Sequence, residues 1–230
     1  LGVAFDPKGG SFRRDIFPEY KANRSETPED ILLSIPYVKR VLDAMCIPIL
    51  EVAGYEADDV IGTLSQKGVE AGYDVYMVTP DKDYGQLVRP CCKLYKQKGD
   101  GIEIVDCDAI RAHYGFDDPT LVRDVLALWG DASDNIPGVP GIGEKIACKL
   151  VREWGTVENI LENVGKIPGK QGEKIAEWGD KLRLAKTLTT ICLDVPIPFR
   201  EEDLTVCEPH IDELLSLIHI SEPTRLQLIS

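Results

Sequence analysis

The chain has 230 residues, 43% hydrophobic and 28% charged, the balance of an ordinary soluble globular protein with room for one large domain or two small ones. Its formal charge is −13; no apolar run approaches the ~20 residues of a membrane span, and no secretory leader is visible. Seven scattered cysteines form no C-x-x-C pair and have no histidines at zinc spacing, which reads as reduced cytosolic thiols. A charge of −13 argues against nucleic acid only if its distribution is ignored. The bases cluster, with Arg13, Arg14, Lys21 and Arg24 early and Lys145, Lys149 and Arg152 late, while the acids gather elsewhere.

Residues 1–6 (LGVAFD) read as a short buried strand with Asp6 at its carboxyl end, and the chain starts as if already inside that strand, so it is expected to be truncated. Residues 11–24 (SFRRDIFPEYKANR) interleave basic and aromatic side chains, which suits either a phosphate-facing segment or a solvated connector. Thr27 and Pro28 followed by Glu29 and Asp30 mark a helix start, and that helix is expected to run to about Cys46. Residues 47–52 and 73–79 read as strands, with a helix between them opened by Glu56-Ala57-Asp58-Asp59. Strand alternating with helix predicts a parallel α/β sheet, whose ligands bind beyond the carboxyl ends of the strands. Asp6, Asp81 and Asp83 fall there, and the Glu56 cluster follows the strand between them. The acids at 56–59 suit a hard cation such as Mg²⁺, or a solvated first turn favoured by the helix dipole.

Residues 91–95 and 102–105 predict a hairpin across 99–101, and 106–114 and 119–128 predict short helices. The character changes near residue 129. Residues 130–150 (GDASDNIPGVPGIGEKIACKL) add Asp131 and Asp134, then a Gly/Pro-rich turn and a basic helix; 156–163, 169–178 and 181–192 are helical by pattern. The domains are accordingly expected at 1–128 and 129–205, with the start of a linker at 206–214. The pentapeptide GEKIA occurs at 143–147 and again at 172–176, either as an echo of two related hairpins or by chance. Residues 215–225 (LSLIHISEPTR) read as the translation of a sequencing-library adapter, so 215–230 are expected to be a non-native tail and His219 carries no functional weight.

Eight carboxylates, Asp6, Glu56, Asp58, Asp59, Asp81, Asp83, Asp131 and Asp134, lie at strand ends or adjacent turns. Two divalent ions clamping a phosphodiester would use that many. Asp81 and Asp83, two apart in extended chain, can point one way; Asp131 and Asp134 can do so on a helical turn. Residues 136–147 (IPGVPGIGEKIA) have the form of a helix-hairpin-helix: the N–H groups around Gly141, Ile142 and Gly143 open a helix, ready for a phosphate oxygen, and Lys145 and Lys149 share one face.

The motifs VAFDPKGGSFRRDIFPEYKANR, GYEADDVIGTL, VTPDKDYGQLV and GDASDNIPGVPGIGEKIA, in this order over about residues 1–205, resemble the 5′-3′ exonuclease domain of bacterial DNA polymerase I, of the flap endonuclease family. The resemblance implies a PIN/flap-endonuclease-like nuclease core with a helical arch, lacking an N-terminal strand that carries a further metal-binding Asp, followed by a duplex-binding hairpin module. It implies Mg²⁺ or Mn²⁺, two or more ions, with Asp6, Glu56, Asp58 and Asp59 around one and Asp81, Asp83, Asp131 and Asp134 near a second. Lys21 and Arg24 match arch residues at the scissile phosphate, Arg13 is placed with them on the DNA, and the hairpin turn matches one that also holds K⁺ in relatives. The implied activity is 5′-3′ exonuclease and flap endonuclease on branched DNA and RNA primers, in a bacterial cytoplasm, as a monomeric part of a polymerase. The rival reading is a catalytically silent branched-DNA-binding fragment.

Overall fold

The computed structural model describes residues 1–221, with side chains as far as Leu217. In chain order the elements are β1 (Val3–Ala4), α1 (Phe12–Ile16), α2 (Glu29–Ala44), β2 (Ile49–Leu50), α3 (Ala57–Glu70) and β3 (Val75–Val78). A 3₁₀ turn (Asp83–Leu87) leads to β4 (Cys92–Lys98), β5 (Gly101–Val105) and α4 (Cys107–Tyr114). The second half holds α5 (Val122–Trp129), β6 (Gly130–Asp131), β7 (Ile136–Pro137), α6 (Glu144–Trp154), α7 (Val157–Glu162), α8 (Lys170–Glu177), α9 (Gly179–Thr189), α10 (Glu201–Leu204) and α11 (Ile211–Ser221).

The α/β core followed by helices is as expected, but the parallel sheet is divided. β1 pairs in parallel with β2, Val3 opposite Ile49, whereas β3 pairs in parallel with β4 and β4 runs antiparallel to β5. Between the two sheets lies a groove of about 430 Å³ lined by Leu1, Leu50, Leu64, Val75, Tyr76 and Phe199. The hairpin expected around residues 99–101 is present, and its first strand is longer than anticipated because it also serves β3.

α4 and α7 begin at side-chain caps, while α2 starts at Glu29 after Pro28 without the expected Thr27 cap. Asp106 accepts from the Ala109 N–H at 3.0 Å and Thr156 caps α7, while Gly115 (φ 82°) ends α4 in the left-handed conformation that glycine adopts without penalty. The helices of the second half bury Leu126, Leu128, Val151, Ile160, Ile175 and Leu182, and this core is continuous with Leu94, Leu87 and Tyr84 of the first half. α5 belongs to that packing. Asp124 accepts from the Val157 N–H at 2.8 Å and pairs with Lys186 of α9 at 2.7 Å, so the residues just before the expected boundary at 129 are built into the helical part.

Gly143 caps α6 from outside, whereas Gly172 lies within α8, where an added Cβ would meet the Ile167 carbonyl oxygen at 2.6 Å. The repeated GEKIA therefore occupies two different structural positions. Residues 215–217, expected to belong to a non-native tail, continue α11 beside α2: the His210 N–H donates to the Ala44 carbonyl, and Leu217 is buried while Leu215 is 49% exposed. An apolar run of helical period suffices for that burial. The rest of the expected tail at 222–230, and the His219 side chain, lie outside the described residues.

Candidate nuclease centre

Glu56 and Asp58 open α3, the helix that follows β2, and three restraints set its first turn. Asp6, just beyond β1, accepts from the Ala57 N–H at 2.8 Å, placing its carboxylate at the positive end of the helix. The Glu56 N–H donates to Asp59 at 3.1 Å. Asp59 is 0% exposed and forms a two-toothed pair with Arg13, Nη1 to Oδ2 at 2.7 Å and Nη2 to Oδ1 at 2.8 Å. The remaining Arg13 donors reach the Leu188 and Thr190 carbonyls, and the Cys192 N–H donates to Asp59.

That arrangement corrects two assignments. Arg13, expected on DNA, is 3% exposed, with its guanidinium N–H groups held inside the protein. Asp59, expected on a metal, is saturated by an arginine and two backbone amides. The pair fastens α1 and α3 to the end of α9 instead.

The remaining acids fall into two groups. Glu56 accepts from Ser11 at 3.1 Å, Lys21 at 2.9 Å and the Tyr20 hydroxyl at 3.0 Å, and the same hydroxyl lies 3.1 Å from Asp134. Arg24 completes this group at 2.5 Å from Asp134. Lys21 (φ 55°) sits in a turn zipped onto 132–135: its N–H donates to the Asp134 carbonyl, Asn23 to Ala132 and Asn135 to Glu19. Asp134 thus joins Glu56, Lys21 and Arg24 rather than the Asp83 group that the resemblance implied.

The second group is Asp81, Asp83 and Asp131 around Lys82. Asp81 accepts from the Asp83 N–H at 2.9 Å, so Asp81 caps the 3₁₀ turn that Asp83 begins. Lys82 pairs closely with Asp131 and lies 3.2 Å from Asp83. Asp131 and Asp134 belong to the β6–β7 hairpin, not to a helical turn. Glycines make that hairpin possible, because a Cβ on Gly138 would meet the Trp129 carbonyl oxygen at 2.0 Å and Gly130 has φ 81°. Asp58 lies between the groups, accepting from the Tyr84 hydroxyl at 2.7 Å.

Burial, reinforced by Asp81 and Glu56, pushes the Asp58 carboxyl up to about 6. Burial, reinforced by Asp81 and Asp131 against the opposing pull of Lys82, pushes Asp83 up to about 7. The Asp83 Oδ1 atom is buried, accepts no well-aligned hydrogen bond and has the Lys82 Nζ 3.2 Å away as its ion-pair partner. A carboxylate oxygen held this way, among other acids, is a donor suited to a hard cation. Among the described residues no three acids are drawn together closely enough to hold an ion by themselves. That fits Mg²⁺, which commonly takes one or two carboxylates and completes its shell with waters and phosphate oxygens.

Lys82, Tyr20, Tyr84 and Ser11 were not singled out in the sequence. Lys82 had a legible signal, a cation set between two acids; the others act through contacts distant in sequence.

At the hairpin, Gly141 (φ 84°) makes the turn and the Ile142 N–H closes it onto Val139, with the Ile142 side chain buried. Gly143 caps α6 with ordinary extended backbone (φ −90°), and a Cβ there would touch nothing within 4 Å. Lys145 and Lys149 are exposed on α6, and Lys174 adds a third base by donating to the Pro140 carbonyl at 3.0 Å.

Residues 1–115 match the family described as 5'-3' exonuclease, N-terminal resolvase-like domain, and residues 118–212 match 5'-3' exonuclease, C-terminal SAM fold. The chain belongs to the 5′-3′ exonuclease family. It is 39% identical over 222 residues to the DNA polymerase I of Caldicellulosiruptor bescii, covering 95% of this chain and 26% of that protein. It thus spans about a quarter of that relative's length. The T5 D15 protein, co-crystallized with metal ions, superposes with a TM-score of 0.69 at 25% identity, covering 96% of this chain and 83% of its own. A pseudo-enzyme–product complex of the T5 D15 flap endonuclease with DNA and metal ions superposes at 0.68, with 24% identity over 96% of this chain and 83% of that one. Family membership makes the protein a nuclease and accounts for both halves of the fold. Among the described residues no helix is long and apolar enough to cross a membrane.

Proposed function

We propose that this chain hydrolyses phosphodiester bonds at the 5′ ends and flaps of branched DNA and at RNA-primed ends, using two or more Mg²⁺ or Mn²⁺ ions. The observation that carries this reading is the pocket lined by Asp6, Glu56, Lys21 and Arg24, together with the buried carboxyls of Asp58 and Asp83 that Asp81 helps push up. Asp6, Glu56 and Asp58 would contribute ligands to one ion and Asp81, Asp83 and Asp131 to another, each shell completed by water and phosphate oxygens, with Asp134 oriented between Tyr20 and Arg24. Bound divalent ions supply a hydroxide nucleophile and neutralise charge that develops on the phosphate.

The chain's own side chains do the rest. Arg24 is half-exposed and can turn from Asp134 to a phosphate oxygen while Lys21 remains near Glu56, so both offer positive charge to the scissile group. The clamp between the Lys21 turn and the Asp134 turn holds these bases and acids in one frame. The exposed backbone at Gly141 and Gly143, with Lys145, Lys149 and the adjacent Lys174, would receive duplex phosphates. Retention of K⁺ at that turn, monomeric action, a bacterial cytoplasm and polymerase domains in the parent protein complete the proposal.

A 5′-labelled strand presented as a flap, as a blunt duplex and as a single strand, in Mg²⁺, tests the substrate class. Cleavage near the flap junction is expected to exceed cleavage of the single strand. Equal cleavage of all three would contradict structure-selective action, and tight binding of the flap with no cleavage would support the silent DNA-binding alternative.

The hairpin offers a clean variant. Because Gly143 has ordinary backbone and an empty Cβ position, Gly143→Ala should leave the melting temperature nearly unchanged while weakening duplex binding. Lys145→Ala should lower the salt slope of binding by about one. Filter binding across a salt series measures both, and unchanged affinity for both variants would remove the hairpin from the DNA contact.

A further inference from the structure

We propose that Tyr84 is a positioning residue for the metal centre, its phenol fixing which oxygen of Asp58 is left free for the ion. The inference rests on the reading of Asp58 as a metal ligand. Tyr84 is 2% exposed and lies next to Asp83 in the 3₁₀ turn. Its hydroxyl donates to Asp58 Oδ1 at 2.7 Å. A bond of this length to a carboxylate is charge-assisted, and it joins the turn bearing Asp81 and Asp83 to the first turn of α3.

Both ends of the bond are held independently. On the tyrosine side, Gln86 donates to the Asp83 carbonyl at 3.0 Å and to the Thr189 carbonyl at 2.9 Å, and accepts from the Ile191 N–H at 3.0 Å. These bonds lock the turn against the end of α9. On the aspartate side, Asp6 holds the Ala57 N–H and Arg13 holds Asp59. With both backbones fixed, the phenol decides the rotation of the Asp58 carboxylate: Oδ1 is occupied and Oδ2 is the oxygen available to an ion. A phenylalanine would fill the same core space, so packing does not account for the hydroxyl. Partners that orient metal-binding carboxylates typically change metal affinity by about 10–100-fold when removed.

The test is Mn²⁺ titration by calorimetry on the whole chain for the native protein, Tyr84→Phe, Asp58→Asn and the double variant, with melting followed in EDTA. Tyr84→Phe is expected to raise the Mn²⁺ Kd about 10–100-fold while its melting temperature in EDTA moves by only a few degrees. In the Asp58→Asn background the same change should have little further effect, because Tyr84 acts through Asp58. Native affinity in Tyr84→Phe, with affinity lost in Asp58→Asn, would overturn the proposal and leave Asp58 a ligand. An equal loss from Tyr84→Phe in both backgrounds would also overturn it, since a merely structural role predicts that result. Native affinity in Asp58→Asn would overturn the reading of Asp58 on which the inference stands.

Discussion

Arg13→Ala is expected to lower folding stability by about 3–5 kcal/mol, the loss typical of removing one partner from a buried ion pair. Asp59 is 0% exposed and would be left with two backbone donors but no counter-charge, while the Leu188 and Thr190 carbonyls would lose their donor. Arg13→Lys should recover a minor part, because an ammonium cannot reproduce the two parallel bonds to Asp59. Urea denaturation reads the effect directly. A change below about 1 kcal/mol, as seen for surface ion pairs, would return Arg13 to the solvent-facing role expected from its sequence.

Asp83→Asn should remove activity and add stability at once. Cleavage should fall by at least ~10²–10³-fold, because charge stabilisation at the reacting phosphate is lost with the ligand. In EDTA at pH 8 the same variant should melt higher than the native chain. The Asp83 carboxyl is pushed up to about 7 and Asp58 to about 6, from an ordinary value of 3.8. Folded carboxyls therefore keep their protons when unfolded ones have lost them, so their contribution to stability is fully present below about pH 4. It is lost as pH rises through 6 and 7. The metal-free native chain should thus melt lower at pH 8 than at pH 5, and Asp83→Asn should flatten that slope. Melting curves in EDTA across this range measure it, and a native slope of the opposite sign would contradict the burial account.

The alternation of strand and helix and the hairpin were legible because they depend on neighbours in sequence, whereas the Thr27 cap was not formed: α2 begins at Glu29 after Pro28, with no side-chain cap. The split sheet was not legible, since the pairing of β3 with β4 is a parallel, non-local contact. Directions of side chains proved harder than positions of elements. In SFRR the sequence shows a base pair but not that Arg13 turns inward from short α1 while Arg14 stays exposed. Asp58 and Asp59 are consecutive on α3 and so point roughly 100° apart, but only the fold shows that Asp59 is turned to Arg13. Asp134 could not be grouped correctly from sequence, because Tyr20, 114 residues away, is what ties it to Glu56.

The most direct measurement is single-turnover cleavage of a 5′-flap DNA by the whole chain as Mg²⁺ is titrated from zero, alongside Asp58→Asn. A metal-dependent nuclease centre at these carboxylates predicts cleavage that rises with Mg²⁺, stops in EDTA and is absent in Asp58→Asn despite retained DNA binding. Cleavage that persists in EDTA, or an Asp58→Asn variant that cuts at the native rate, would contradict it.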